Sequence, residues 1–326
     1  MRYKELGKTG EKISVIGLGA WQAGLKSWGK DYTLEDVLKA LETGIEMGIN
    51  LIDTAEIYGN GRSESVIGSL VAEYRDRVFI ATKVAGYNAT PRGVWKAAER
   101  SRRRLKVDVI DLYQVHWPPS IYTSIPKLAR EMERLVDMGV IRYLGLSNFG
   151  LKNMMRFREA LRRHDIVSNQ LQYNLLYRVV EKEIFPYMMS EKIELIAWSP
   201  IAKGALAGKT KADNMARRMD AVFDRARRAN NLLNLLREIA EKHRCKMHQV
   251  ALAWLISKGA IPIPGVKRPS QAKENADAAD ITLTKAEVEQ LDRASEMFTE
   301  GSLGELMPRI IPNWLQKIAI ILMGGV

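Results

Sequence analysis

Asp53, Tyr58, Lys83 and His116 each sit at or just past the end of a short apolar run that reads as a buried strand. The runs are Leu51–Ile52 in "NLIDTAEIYGNG", Val78–Thr82 in "VFIATK" and Ile110–Val115 in "DLYQVHW". If these strands lie parallel around a barrel, the four polar groups converge on one rim, where such barrels do chemistry. A carboxylate, a phenol, an ammonium and an imidazole brought together make a proton-donating site. A free tyrosine has a pKa of about 10, so Tyr58 needs a nearby cation to release its proton near neutrality, and the Lys83 ammonium is expected to lower its pKa. Lys83 follows the apolar "VFIAT", so its ammonium is buried without a partner unless Asp53 pairs with it. Gly59 and Gly61 follow Tyr58 and let the backbone turn the phenol toward the barrel mouth.

The elements that must position these residues alternate between strand-like and helix-like, which argues for βα units around a parallel sheet. The opening "YKELGKTGEKISVIGLG" reads as a hairpin turning at Lys8–Gly10 and running into the first strand. Barrel strands are expected near Val15–Leu18, Leu51–Asp53, Val78–Thr82, Ile110–Val115, Tyr143–Ser147, Asn169–Leu171, Leu195–Trp198 and Ala260–Pro264. Leu34, Val37, Leu38, Leu41 and Ile45 show helical periodicity, and Gly48 and Gly139 mark helix ends. The expectation is an α/β fold, a (β/α)8 TIM barrel with an N-terminal β-hairpin, forming one domain over residues 1–326. Two stretches depart from the alternation. The basic segment Ile201–Asn231 reads as a functional loop. The apolar extension 297–326, with "IIPNWLQKIAIILMGGV", is expected to fold over the barrel mouth as a substrate-pocket wall, the alternatives being a buried strut on the outside of the barrel and a subunit contact.

The 326 residues are 46% hydrophobic, enough for a large core, and mean hydropathy is −0.20. No apolar run reaches the roughly 18 residues of a membrane span, and Met1–Gly10 lacks the apolar core of a signal peptide. The lone Cys245 allows no internal disulfide, so a cytoplasmic, reducing location is expected. The net charge of +12 raises nucleic acid as a partner. The basic residues of "ERSRRRLK" and "RFREALRRHD" are interleaved with acids and carry no aromatic stacking pattern, so a solvated basic surface is the preferred reading. "KGALAGKT" falls one residue short of phosphate-loop spacing between Gly204 and Gly208. His243 and His248 lack ligand spacing, no metal is expected, and no dinucleotide glycine fingerprint is present.

The chain resembles the aldo-keto reductase superfamily, in particular its microbial-type NADPH-dependent members. The likeness is carried by "GLGAWQ", "IDTAEIYGNGRSE", "ATK", "DLYQVHWP", "GLSNF", "NQLQYNLL", "AWSPIAKGALAGK" and "IPIPGVKRPSQAKENADA", in family order and reaching to about residue 295. The resemblance implies reduction of a small-molecule aldehyde or ketone by NADPH, with NADH as a lesser donor. It makes Tyr58 the proton donor, tuned by Lys83 and Asp53, and has His116 orient the carbonyl oxygen. It assigns Ser147, Asn148 and Gln170 to the nicotinamide carboxamide, and Gly19, Ala20 and Trp21 to the cofactor and substrate mouth. Trp198 stands where the family frequently has a tyrosine stacked on the nicotinamide. Ser199, Pro200, Ile201, Gly204 and Leu206 follow the pyrophosphate path. Gly265, Val266, Lys267, Arg268, Gln271, Glu274 and Asn275 match the adenosine end, where a helix beginning near Pro269 also favours an anion. Gln271 replaces an arginine of many animal members, leaving Lys267 and Arg268 as candidates for a 2′-phosphate. The implied substrate pocket is Trp21, Trp28, Tyr58, His116 and Trp117. The alternative is a nucleotide-binding regulatory protein of the same fold, as in potassium-channel β-subunits.

Overall fold

Phe79–Val84 and Ile110–Val115 are buried at every position, the pattern of parallel strands covered by helices on one face and by a packed interior on the other. The computed structural model describes residues 1–24, 32–209 and 221–301, together with Leu315. Its strands are β1 (Tyr3–Glu5), β2 (Lys12–Ser14), β3 (Leu18–Gly19), β4 (Leu51–Asp53), β5 (Phe79–Val84), β6 (Ile110–Val115), β7 (Ile141–Ser147), β8 (Ile166–Gln172), β9 (Glu194–Trp198) and β10 (Ile261–Pro262). β3 to β10 form one eight-stranded parallel sheet whose neighbours follow sequence order.

The sheet curls into a (β/α)8 barrel, and its edges meet at a parallel bridge between Gly19 and Gly265. The Gly17 and Gly19 amides donate to the Pro262 and Pro264 carbonyls at 2.9 and 3.0 Å across this seam. A Cβ on Gly19 would lie 2.8 Å from the Ile263 carbonyl oxygen, so the seam requires glycine there.

Two strands are shorter than expected, and the others match or run longer. The first was placed at Val15–Leu18, but pairing begins at Leu18 because the chain bends after β2, where the Ser14 hydroxyl donates to the Ile16 carbonyl at 2.7 Å. The last was placed at Ala260–Pro264 and pairs only over Ile261–Pro262, since Pro262 and Pro264 have no N–H to extend the ladder. The hairpin forms, with Lys4 opposite Ile13, but its turn lies at Gly7–Thr9. Its Leu6 and Ile13 join Leu51, Phe79, Leu112, Val167 and Ile196 in the barrel interior and plug the end opposite the site.

The helix Leu34–Glu46 buries Val37, Ala40, Leu41 and Ile45, and Gly48 follows its end at φ 91°. The segment read as one loop, Ile201–Asn231, instead contains a 3₁₀ turn over Ala202–Ala207, a helix over Ala221–Arg227 and the start of the helix Asn230–Lys242. Residues 210–220 lie outside the described set, as does the extension beyond Gly301 apart from Leu315, and with it the expected wall or subunit contact. No helix among the described residues is long and apolar enough to cross a membrane.

Candidate active site

Side chains alternate along a strand, and that period aims the polar groups inward. Leu51, Phe79, Ala81 and Leu112 belong to the barrel interior while Ile52 and Ile80 pack outward, so Asp53 and Lys83 fall on the inner face at the C-terminal ends of β4 and β5. The fully buried Lys83 Nζ donates to Asp53 Oδ1 at 2.7 Å, to the Thr54 carbonyl at 2.8 Å and to the Tyr58 hydroxyl at 3.3 Å. These bonds use every donor an ammonium has. Burial pulls the Lys83 pKa down, but Asp53 and Tyr58 outweigh it and hold the value above 10.5, so the group stays charged.

Tyr58 behaves differently from the expectation. Its pKa is raised above the ordinary 10.0, because burial dominates, Lys83 only partly opposes it, and the Asp53 carboxylate adds to the rise. The cation does not make the phenol acidic; it holds a protonated phenol in place. His116, directly after β6, sets its ring edge-on to Tyr58 at 5.7 Å and 80°. Burial first and Lys83 second push the imidazole well below its ordinary 6.5, so it is neutral near pH 7. Its Nδ1 is buried without a hydrogen-bond partner.

Buried polar anchors hold the turn that carries Tyr58. Glu56 accepts from the Ala85 amide at 2.7 Å and Asn88 Nδ2 at 3.0 Å, and Ser63 Oγ donates to the Ala20 carbonyl at 2.7 Å. Gly24 lies against this turn, and a Cβ there would meet the Tyr58 carbonyl carbon at 2.5 Å.

A second group surrounds the tetrad. Gln170 Nε2 donates to Asp53 Oδ2 at 2.7 Å. Asn148 has a left-handed backbone at φ 61°, and its Nδ2 donates to the His116 carbonyl at 3.0 Å and Ser147 Oγ at 3.1 Å. Trp198 Nε1 donates to Asn148 Oδ1 at 2.9 Å.

This second group, with Asp53, Tyr58 and His116, borders a cavity of about 460 Å³, and Lys83 sits behind them, fully buried. Of the residues expected to hold cofactor or substrate, Gly19, Trp21, Tyr58, His116, Trp117, Ser147, Asn148, Gln170, Trp198, Ser199, Pro200, Ile201, Gly204, Gly265, Lys267, Arg268 and Gln271 line it. Five do not. Ala20, Leu206, Val266 and Asn275 are buried in the protein, and Glu274 is taken by Lys246 and His248. Trp28 lies outside the described residues. Gln22, Ile57, Lys203, Lys209 and Ile263 also line the cavity and were not singled out. All five stand inside segments quoted for the resemblance, Ile57 in "IDTAEIYGNGRSE" and Ile263 in "IPIPGVKRPSQAKENADA" among them, but the two isoleucines carry no signal that separates them from ordinary core positions.

One end of the cavity is basic. Lys267 and Arg268 lie there, Lys203 and Lys209 also line the cavity, Lys267 Nζ sits 4.6 Å over the Tyr32 ring, and the Lys267 amide donates to Gln271 Oε1 at 2.8 Å. The helix Pro269–Ala278 starts at this end, so its dipole adds positive potential. Along residues 199–204, Ser199, Ala202, Lys203 and Gly204 all have positive φ. Ser199 Oγ is buried there with no partner.

The model of the Aldo/keto reductase family matches residues 15–296 of this chain. The chain belongs to the aldo/keto reductase family. It is thereby an NAD(P)-dependent oxidoreductase. An uncharacterised oxidoreductase of Mycobacterium tuberculosis is 34% identical over 320 residues, covering 95% of this reductase and 98% of the relative. The methylglyoxal reductase of Escherichia coli is 31% identical over 285 residues, covering 86% and 91%. An aldo-keto reductase from Klebsiella pneumoniae, solved in complex with NADPH, superposes with a TM-score of 0.73 at 28% identity, covering 93% and 97%.

Proposed function

We propose that this reductase converts aldehydes and ketones to alcohols with NADPH, Tyr58 being the proton donor. The observation that carries the reading is the Lys83 bridge. One buried ammonium binds Asp53 and the Tyr58 hydroxyl together, and the protonated phenol faces the cavity beside a neutral imidazole.

The cavity suits a dinucleotide phosphate. The basic end and the N-terminus of Pro269–Ala278 offer charge to an adenosine 2′-phosphate, with Lys267 and Arg268 nearest the helix start. The orphaned Ser199 hydroxyl is a ready donor for a pyrophosphate oxygen. Ser147 and Gln170 lie beside the tetrad, in place for a carboxamide. When bound, the reduced nicotinamide supplies the hydride that ends on the carbonyl carbon. Tyr58 delivers its proton to the carbonyl oxygen as charge develops there, and Lys83 stabilises the phenolate left behind. His116 meets the same oxygen. Solvent then returns a proton to Tyr58.

The test is oxidation of NADPH by the purified chain with a panel of aldehydes, methylglyoxal included, alongside direct NADPH binding. Turnover with at least one carbonyl compound is the expected result. Tight NADPH binding without turnover across the panel would overturn the reading in favour of a nucleotide-binding regulatory protein.

A further inference from the structure

We propose that Trp198 is a positioning residue for the nicotinamide end of the site, holding the Asn148 amide through its indole N–H and so setting which groups meet the carboxamide. This rests on the NADPH reading above. The donor count of Asn148 carries the argument. Both Nδ2 hydrogens are spent, on the His116 carbonyl at 3.0 Å and on Ser147 Oγ at 3.1 Å, and Oδ1 accepts from Trp198 Nε1 at 2.9 Å.

Two independent partners fix which end of the amide is which. An indole N–H only donates and a peptide carbonyl only accepts, so Oδ1 must face Trp198 and Nδ2 must face His116. The Asn148 backbone N–H donates to the Gln170 carbonyl at 2.9 Å. One residue thus ties together the C-terminal ends of β6, β7, β8 and β9. A phenylalanine or a tyrosine at position 198 offers a ring face but no N–H at this place.

With both Asn148 donors and one Oδ1 lone pair committed inside the protein, Asn148 keeps one acceptor position, and two complementary groups stand beside it at the tetrad. Ser147 Oγ accepts from Asn148, which turns its own hydrogen outward as a donor. Gln170 gives an amide hydrogen to Asp53 and keeps Oε1 as an acceptor. A carboxamide presents one C=O and one NH₂, the matching acceptor and donor. Asn148 is then a brace for this pair, and Trp198 locks the brace.

Trp198→Phe keeps a flat ring and removes the donor. It is expected to weaken NADPH binding about 3- to 10-fold, the size of one neutral hydrogen bond. Binding of 2′,5′-ADP, which has the phosphates and no nicotinamide, is expected to stay at the wild-type value. In an Asn148→Gly background, where glycine suits the left-handed backbone, the same substitution is expected to change NADPH affinity less than about 2-fold, because the coupled partner is gone. Equal weakening of both ligands, no weakening of either, or the full effect persisting beside Asn148→Gly would overturn the assignment. A wild-type chain that binds 2′,5′-ADP but not NADPH would instead remove the cofactor reading on which it rests.

Discussion

Gln170 Nε2 reaches Asp53 Oδ2 at 2.7 Å across 117 residues of sequence, joining β8 to β4, two strands that are not neighbours in the sheet. Asp53 therefore divides its oxygens, Oδ1 to Lys83 and Oδ2 to Gln170, and both bonds lie out of water. The lysine of the tetrad is held by a carboxylate that is itself held from the opposite wall.

Gln170→Met fills a similar volume and leaves Asp53 Oδ2 unpaired in a buried position. Hydrogen bonds to charged groups contribute about 1.5–3 kcal/mol, so unfolding in denaturant is expected to show a loss of that size. A variant with an unchanged midpoint would show that this bond contributes nothing to holding Asp53.

Tyr58→Phe removes one hydroxyl and keeps the ring that packs on His116 and Trp21. General acid catalysis contributes about 100- to 10,000-fold, so kcat is expected to fall by at least about 100-fold with NADPH affinity nearly unchanged. A variant retaining a tenth or more of the activity would rule out Tyr58 as the acid.

The pH dependence follows from the two shifted groups. The Tyr58 pKa is raised above 10.0, so the donor keeps its proton throughout the neutral range and the reduction rate falls only on the alkaline side. The His116 pKa lies well below 6.5, so His116 adds no limb near its ordinary value. A profile of kcat against pH is expected to be flat from about pH 6.5 to 9. An acid limb near 6.5 that disappears in His116→Gln would contradict the neutral imidazole.

Replacing Lys267 and Arg268 together by alanine is expected to weaken NADPH by about 10-fold or more and NADH much less, since charge-assisted bonds to phosphate are roughly twice as strong as neutral ones. Equal losses for the two nucleotides would show that neither side chain reads the 2′-phosphate.

Glu133 offers a test of the frame away from the site. Burial raises its pKa, but backbone N–H groups of Arg163, Arg162 and His164 outweigh that, and the carboxyl is held at about 2. Its folded pKa lies below the unfolded value of 4.5, so its stabilisation is present above pH 4.5 and is lost as the pH falls toward 2. Glu133→Gln is expected to be less stable than wild type at pH 7 by thermal melting, with the gap narrowing through that acid window. A constant gap from pH 7 to pH 2.5 would refute the linkage.

The barrel was legible because its signals are local, whereas most of the cavity wall was implied only by the resemblance of the quoted segments. A parallel strand buried on both faces is largely apolar, so β5 and β6 show up as runs despite Thr82, Asp111 and Gln114, and the residue that ends such a run, Asp53 or Ser147, is thereby placed on the rim. Expectation and structure part where short-range pattern does not carry the geometry. Ala20, Leu206 and Val266 sit inside matching segments, yet adjacent residues of one segment face opposite ways, and these turn into the core. The two-residue β10 was overextended because Pro262 and Pro264 interrupt a run that hydropathy alone joins.

What the sequence determined by itself is the set of chemical groups and the strand end that carries each, since period-two alternation and apolar runs are properties of a few consecutive residues. What only the tertiary structure decided is which groups touch across the barrel and with what electrostatic result. Asp53 meeting Gln170 and Trp198 meeting Asn148 depend on how the strands stagger as the sheet closes at Gly19 and Gly265, a relation set by the whole ring. The Tyr58 pKa moves upward for the same reason. Lys83 alone would lower it, but closure removes the phenol from water and brings a carboxylate to the same ammonium, and burial with a shared counter-charge outweighs one cation.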